Sequence, residues 1–161
     1  MPVEPLSRRT YLAIGEVLTH RWFHPIHRRL YRLTGGRGIA SRALDMDMVL
    51  VTMVGRRSGT ARTIPLAAVL DGPGWILVAS NAGKARMPDW AHNLRADGAV
   101  TVEHRRGVRP FTAREVTDPE EYEARWQQAV AAYPGYAVYR ARTARAIPLF
   151  VLEPSAQGGE R

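Results

Sequence analysis

Between residues 48 and 70 two apolar runs, MVLVTMV and TIPLAAVL, flank a short glycine-bracketed turn, and few local structures accommodate that arrangement. The first run is rich in β-branched residues and too short for a typical helix, so the segment reads as a β-hairpin. Its tip is the octet Gly55-Arg56-Arg57-Ser58-Gly59-Thr60-Ala61-Arg62. Glycine tolerates positive φ, so Gly55 and Gly59 let several backbone N–H groups converge on one concavity. Arg56, Arg57, Arg62 and Ser58 would ring it. A guanidinium offers a rigid fork of donors matched to phosphate or carboxylate oxygens, which makes the octet a candidate anion clamp. A solvated basic surface turn fits the same residues, and the octet by itself leaves both readings open.

The meander continues beyond the hairpin. Asp71-Gly72-Pro73-Gly74 is a tight-turn signal, and WILVAS at 75–80 predicts a third strand. A second small cationic loop, Asn81 to Arg86, follows at its end. Residues 88–95 predict a short helix with proline and aspartate at its start, and with Trp90 and Leu94 facing the core. Strands at 99–104 and 108–116 come next. Thr117-Asp118-Pro119-Glu120 reads as a capping box, after which Tyr122, Trp126, Ala129, Val130 and Tyr133 recur as a core-facing helical stripe. Pro134-Gly135 breaks that helix. Tyr133, Tyr136 and Tyr139 then fall every three residues, where three phenols either wall a pocket or pack with their hydroxyls at the surface. A last strand is predicted at 147–153.

The amino-terminal third has a different character. Residues 6–33 predict two helical pieces, the first with Leu6, Ile14, Val17 and Leu18 on an apolar face and the second basic as well as aromatic. Residues 20–33 fit either a helix lying on an anionic bilayer or one packed on the domain. His20, His24 and His27 have helical spacing, but Pro25 intrudes and no acidic partner is near, so no metal site is expected. Gly35-Gly36-Arg37-Gly38 lacks a preceding strand and reads as a hinge, not a nucleotide loop. The expected organisation is a basic helical segment and linker over 1–40, one domain over 41–154 and a disordered tail over 155–161. Charged residues interrupt every apolar stretch near the amino terminus, which predicts a cytoplasmic protein, with peripheral contact on the inner membrane face as an option for residues 20–33. The chain has no cysteine, which excludes disulfides, thiolate metal sites and cysteine nucleophiles. A formal charge of +8 points to an anionic partner. Of the 23 basic residues only Lys84 is not arginine, a bias that genome base composition can produce, so arginine placement is more informative than arginine number.

GRRSGTARTIPL, VASNAG, PDWAHNLRA and YPGYAVYRARTARAIPLFVLEP, in that order and spacing, resemble the deazaflavin-dependent nitroreductase family of actinobacteria. The resemblance covers about residues 46–154. It implies an α+β fold, the split β-barrel of flavin-reductase-like oxidoreductases flanked by helices, and coenzyme F420 as cofactor. By the same resemblance the phosphate and oligoglutamate tail would lie against Gly55, Arg56, Arg57, Ser58, Gly59, Arg62 and Thr63. The ring would lie near Pro65, Ala79, Ser80, Asn81, Ala82 and Gly83, beside Trp90 and Asn93. Tyr133, Tyr136 and Tyr139 match the substrate-pocket tyrosines of the nitroreductase subgroup, and Ser80 is a further hydroxyl able to donate a hydrogen bond to an acceptor. Two departures stand out. Ala67 and Ala68 replace aromatic residues of the best known member, which implies a wider pocket, and Asn81 replaces a lysine.

A deazaflavin carries hydride on carbon, so the protein's part is to hold the reactive face against an acceptor and to supply a proton from a phenol or hydroxyl. The expected activity is F420H2-dependent reduction of a quinone-like or nitroaromatic small molecule, with no metal and no nucleic acid involved. The alternatives are a non-catalytic nucleic-acid-binding module, or a relative that binds FMN or a lipid.

Overall fold

The computed structural model describes residues 6–18, 46–105 and 107–155. Its strands are β1 (Asp47–Val54), β2 (Ala61–Asp71), β3 (Gly74–Val78), β4 (Ala99–His104), β5 (Gly107–Glu115) and β6 (Leu149–Pro154). They close into an antiparallel barrel in the order β1-β2-β3-β6-β5-β4. Around it lie α1 (Arg8–Leu18), α2 (Asp89–Ala96), α3 (Pro119–Ala132) and α4 (Gly135–Arg142), with a 3-10 turn at Asn81–Gly83. The expected hairpin at 48–70 is β1 and β2, in register from Asp47 opposite Ala68 to Val54 opposite Ala61.

Strand alternation divides the apolar residues into two cores. Val49, Val51 and Met53 of β1 join Leu77, Val102, Phe111, Phe150 and Leu152 inside the barrel, sealed by Ala91 and Leu94 of α2. A second core lies outside the sheet, where Val69, Ile76, Val78 and Val151 meet α1, α3 and α4. Strand β3 feeds both layers and is buried along its whole length. Trp126, Ala129 and Tyr133 of the expected stripe are buried here, with Tyr122 and Val130 packed beside them. Burying one large apolar side chain contributes roughly 1.5–3 kcal/mol, so this stripe is enough to fix α3 on the sheet.

One irregularity in the sheet positions the site. Strand β2 is longer than its neighbour and pairs with β3 only from Ala68 to Asp71, whereas Pro65 pairs only with Leu50 of β1. Proline has no ladder donor, so it suits a stretch whose second edge has no partner strand. The two strands part there and leave a gap beside Pro65, Leu66 and Ala67.

The structure corrects four expectations. Strand β3 stops at Val78, so Ala79 and Ser80 lie in the following loop, and β6 begins at Leu149. Asp118, not Thr117, caps α3 by accepting a 2.8 Å hydrogen bond from the Glu121 N–H. A carboxylate at the positive end of a helix is a stronger acceptor than a hydroxyl, and the start of α3 shifts by one residue to use it. The buried face of α1 is Tyr11 and Gly15, with Leu12 packed alongside, while Leu6 is exposed. Ala68 points into the barrel interior and not toward the gap, because it is out of phase with Ala67. The side chains of Val17 and Leu18, the basic piece at 20–33 with its histidines, the 35–38 hinge and the tail beyond Ser155 lie outside the described residues.

Candidate active site

The β1–β2 loop folds into a cationic concavity. The Gly55 N–H donates to the Thr60 carbonyl at 2.9 Å and the Gly59 N–H to the Gly55 carbonyl at 2.8 Å, with Gly59 at φ +65°. A Cβ on Gly55 would fall 2.7 Å from Ser58 Oγ and 3.0 Å from Arg62 Nε, so glycine is required for the loop to close over itself. The resulting cavity, about 230 Å³, is lined by Gly55, Arg56, Arg57, Ser58 and Arg62, and by Asp89 and Asn93 of α2. Asn93 joins helix to loop by accepting the Arg56 N–H at 3.1 Å through Oδ1. Asp89 is held by Arg86 at 2.9 Å. Among the described residues no carboxylate pairs with Arg56, Arg57 or Arg62. Arg95 and Arg114 behave differently, each meeting a glutamate, Glu115 at 2.7 Å and Glu121 at 2.8 Å. Three arginines around one cavity, whose single lining carboxylate, Asp89, is paired with Arg86, make a site that an anion stabilises.

A second cavity, about 170 Å³, opens in the gap between β2 and the loop leaving β3. Pro65, Leu66, Ala67 and Val78 form its sheet side, Ser80, Asn81 and Ala82 its loop side, and Trp90 of α2 one end. Tyr133, Tyr136 and Tyr139 close it from the helix break, together with Met46, Met48, Pro88 and Gly15. All three tyrosines are buried. Gly135 permits their convergence, since a Cβ there would stand 2.4 Å from the Tyr133 ring.

The phenols are not equivalent. Tyr139 donates its proton to the Tyr11 carbonyl of α1 at 2.8 Å. The Tyr133 and Tyr139 hydroxyls are 3.0 Å apart. Because the Tyr139 proton is already committed, Tyr133 must be the donor between them. Among the described residues Tyr136 donates only to the Met46 thioether at 3.5 Å, a weak acceptor that a substrate oxygen can displace. The Ser80 hydroxyl has no hydrogen-bond partner among the described residues. Burial pushes the Tyr133 and Tyr136 phenols far above their ordinary range and raises Tyr139 as well, so all three stay protonated at neutral pH.

Most of the residues singled out from sequence thus fall into two groups: Gly55, Arg56, Arg57, Ser58, Arg62 and Asn93 around one cavity, and Pro65, Ser80, Asn81, Ala82, Trp90 and the three tyrosines around the other. Four residues line neither. Gly59 shapes the turn, Thr63 bonds Thr52 across the hairpin at 2.8 Å, Ala79 is fully buried in the barrel core, and Gly83 packs beneath the Tyr139 carbonyl. Gly15, Met46, Met48 and Asp89 were not foreseen. Asp89 lies in PDWAHNLRA but is read there only as part of a helix start, and only the packing of α1 and the approach to β1 brings the other three to the cavity. The two cavities share α2, which presents Trp90 to one and Asn93 to the other.

The model of the F420H(2)-dependent quinone reductase family matches residues 22–154. The chain belongs to this family. An F420H(2)-dependent quinone reductase of Mycobacterium tuberculosis (strain ATCC 25618 / H37Rv) is 35% identical over 133 residues, covering 79% of this chain and 87% of that protein. Among solved structures, an F420-H2 dependent reductase, FDR-A, superposes with a TM-score of 0.60 at 40% identity over 66% of this chain and 93% of its own. A chain solved as a domain-swapped dimer gives 0.62 at 36% identity over 80% and 96%. As a member of the F420H(2)-dependent quinone reductases, the chain is an oxidoreductase with coenzyme F420 as cofactor, on the split-barrel fold that the sequence resemblance implied.

Proposed function

We propose that this chain holds coenzyme F420 across both cavities and reduces a quinone at the tyrosine-lined one. The observation that carries the reading is the meeting of a cation-lined and an apolar cavity on one helix, α2. Arg56, Arg57, Arg62 and Ser58 would hold the anionic tail by charge-assisted hydrogen bonds. Pro65, Ala82 and Trp90 would pack on the ring, and the Ser80–Ala82 loop would set its height. When bound, the deazaflavin supplies hydride from carbon. The acceptor lies against the tyrosines, and Tyr136 or Ser80 donates to the quinone oxygen that gains negative charge, the stabilisation that such sites supply. Tyr133 and Tyr139 fix the wall against which the acceptor rests.

Ala67 leaves the sheet side of the cavity open, so bulky quinones are better substrates than a compact nitroimidazole, which a loose pocket positions poorly for hydride transfer. Titration with F420 and with a deazaflavin lacking phosphate and glutamates tests the whole reading. Intact F420 should bind at least about a hundredfold more tightly, from two or more charge-assisted hydrogen bonds of roughly 1.5–3 kcal/mol each. Equal affinities would remove the tail from the arginine cavity, and tight binding of FMN or duplex DNA in place of F420 would overturn the assignment. Peripheral membrane contact through residues 20–33 rests on their basic and aromatic composition alone. The full chain should then sediment with anionic vesicles, and a chain beginning at Ser41 should not.

A further inference from the structure

The loop that carries Ser80, Asn81 and Ala82 is held in an unfavourable backbone state largely by two arginines outside both cavities, Arg142, whose Nη1 donates to the Ala82 carbonyl at 3.2 Å, and Arg145, which makes the larger number of bonds. Asn81 and Ala82 stand at φ +46° and +55°, in the left-handed region that costs a residue with a Cβ. Such a conformation persists only where its surroundings over-determine it. The loop's own bonds are two short turns, from the Gly83 N–H to the Ser80 carbonyl at 2.9 Å and from the Lys84 N–H to the Asn81 carbonyl at 3.0 Å, and one side-chain closure, from Asn81 Nδ2 to the Arg86 carbonyl at 2.8 Å.

Arg145, in the segment between α4 and β6, supplies what is missing. Its Nη2 donates to the Ala79 carbonyl at 3.1 Å and the Ser80 carbonyl at 2.8 Å, and its Nε donates to the Lys84 carbonyl at 3.0 Å. Nη1 turns back to the Ala146 carbonyl at 3.1 Å. One rigid fork therefore spans both ends of the loop. Arg145 is half-buried, and no carboxylate among the described residues pairs with it, so the charge is kept in place for its hydrogen bonds and not for an ion pair. Partial burial lowers its pKa. With the carbonyls of Ala79, Ser80 and Lys84 drawn to the guanidinium, the Asn81 and Ala82 N–H groups remain without an acceptor among the described residues, and both residues line the tyrosine cavity.

We propose that Arg145 is a positioning residue for the reductase reaction, clamping the 79–84 loop so that Ser80, Asn81 and Ala82 meet the ring at a fixed height. The inference rests on the cofactor reading above for its catalytic half and on the loop geometry alone for its structural half. The test compares wild type, Arg145→Lys and Arg145→Met by hydrogen exchange without ligand, by F420 affinity and by steady-state quinone reduction. In Arg145→Met, exchange over residues 79–86 should accelerate at least about tenfold while peptides from β1 and β6 keep wild-type protection. F420 affinity should change by less than about threefold, because the tail arginines are untouched, while kcat falls about tenfold to a hundredfold, the penalty expected for slight misplacement. Arg145→Lys keeps the charge but not the fork, so it should fall between the two in exchange and in kcat. It also carries the test if the methionine variant does not fold. Unchanged exchange in the loop, equal acceleration throughout the barrel, or a wild-type kcat in both variants would each overturn the inference. Failure of wild type to bind F420 would instead refute the cofactor reading and leave loop exchange to decide the role of Arg145.

Discussion

The two cavities on α2 are built in opposite ways. The cationic one is almost entirely the β1–β2 loop, with five of its seven lining residues between Gly55 and Arg62. The tyrosine cavity draws on α1, both ends of the β2–β3 region, α2 and the α3–α4 break, from Gly15 to Tyr139. One is open and polar and can change by replacing a loop. The other is assembled from buried and half-buried residues of several elements, and two of its hydroxyls, those of Tyr133 and Tyr139, are committed to each other and to α1. On the proposed reading, binding strength belongs to the loop, whereas positioning and proton donation belong to the packed wall. Each can be altered with little effect on the other.

The largest effect that follows is on affinity. Replacing Arg56 and Arg57 together by alanine should weaken F420 binding by roughly 1.5–3 kcal/mol for each charged hydrogen bond lost, with kcat at saturation nearly unchanged. A fluorescence titration reads the first and saturation kinetics the second, and a double variant of wild-type affinity would erase the division.

Next comes turnover. Tyr136→Phe removes the one phenol proton held only by a thioether, so kcat should fall about tenfold to a thousandfold while F420 affinity stays put. Tyr133→Phe deletes the donor to Tyr139 and should mainly lower thermal stability, by about 1 kcal/mol. If Tyr133→Phe cost the larger share of kcat, the proton assignment drawn from the Tyr133–Tyr139–Tyr11 chain would be wrong.

Selectivity should move less. Ala67→Phe fills the open sheet side of the tyrosine cavity and should shift the ratio of rates for a bulky quinone and a compact nitroimidazole by on the order of tenfold toward the latter. Ala68→Phe would overpack the barrel interior and lower stability instead. A rate panel for the first variant and a melting curve for the second separate the two adjacent alanines.

The smallest effects are those of solvent. Raised salt should weaken F420 binding and leave kcat unaltered. Because burial raises all three phenol pKa values, turnover should be flat from about pH 6 to 9 as far as the tyrosines are concerned. The folded phenols titrate above the unfolded value near 10, so the stability they confer is complete below that pH and is lost as pH rises beyond it. A melting-temperature series into alkali should show the loss, and a kcat inflection near pH 8 that vanished in Tyr136→Phe would contradict it.

The same contrast explains what could be read from the chain. The arginine-lined cavity was legible because its residues are contiguous and their chemistry shows in the letters, and the strands because apolar runs and turn signals are local, whereas their closure into a barrel came only from the family resemblance. Arg145 was not, since it sits in an arginine-rich stretch, YRARTAR, in which nothing local tells the loop clamp from its neighbours. Gly15 and Met46 were equally silent, because their place in the cavity comes from packing between elements far apart in sequence. The position of the α3 cap turned on a competition between a hydroxyl and a carboxylate one residue apart, too fine a difference for a motif. Ala68 was misplaced because the resemblance assigns two neighbours to the pocket together, although adjacent residues of a strand point to opposite faces.

The bond from Tyr139 to α1 ends on a peptide carbonyl and not on a side chain. Any residue that keeps position 11 helical offers the same acceptor, but the Tyr11 ring is itself buried edge-on against Tyr133 at a centroid distance of 5.4 Å, so the position asks for a large ring and not for a particular acceptor. Gly15, one turn further on, asks for the opposite, for even a methyl group would come within 2.6 Å of the Tyr139 hydroxyl and 2.7 Å of Ala82. A bulky ring and no side chain at all are thus required one turn apart on the same helix, and relatives should hold both positions while the exposed face of the helix diverges.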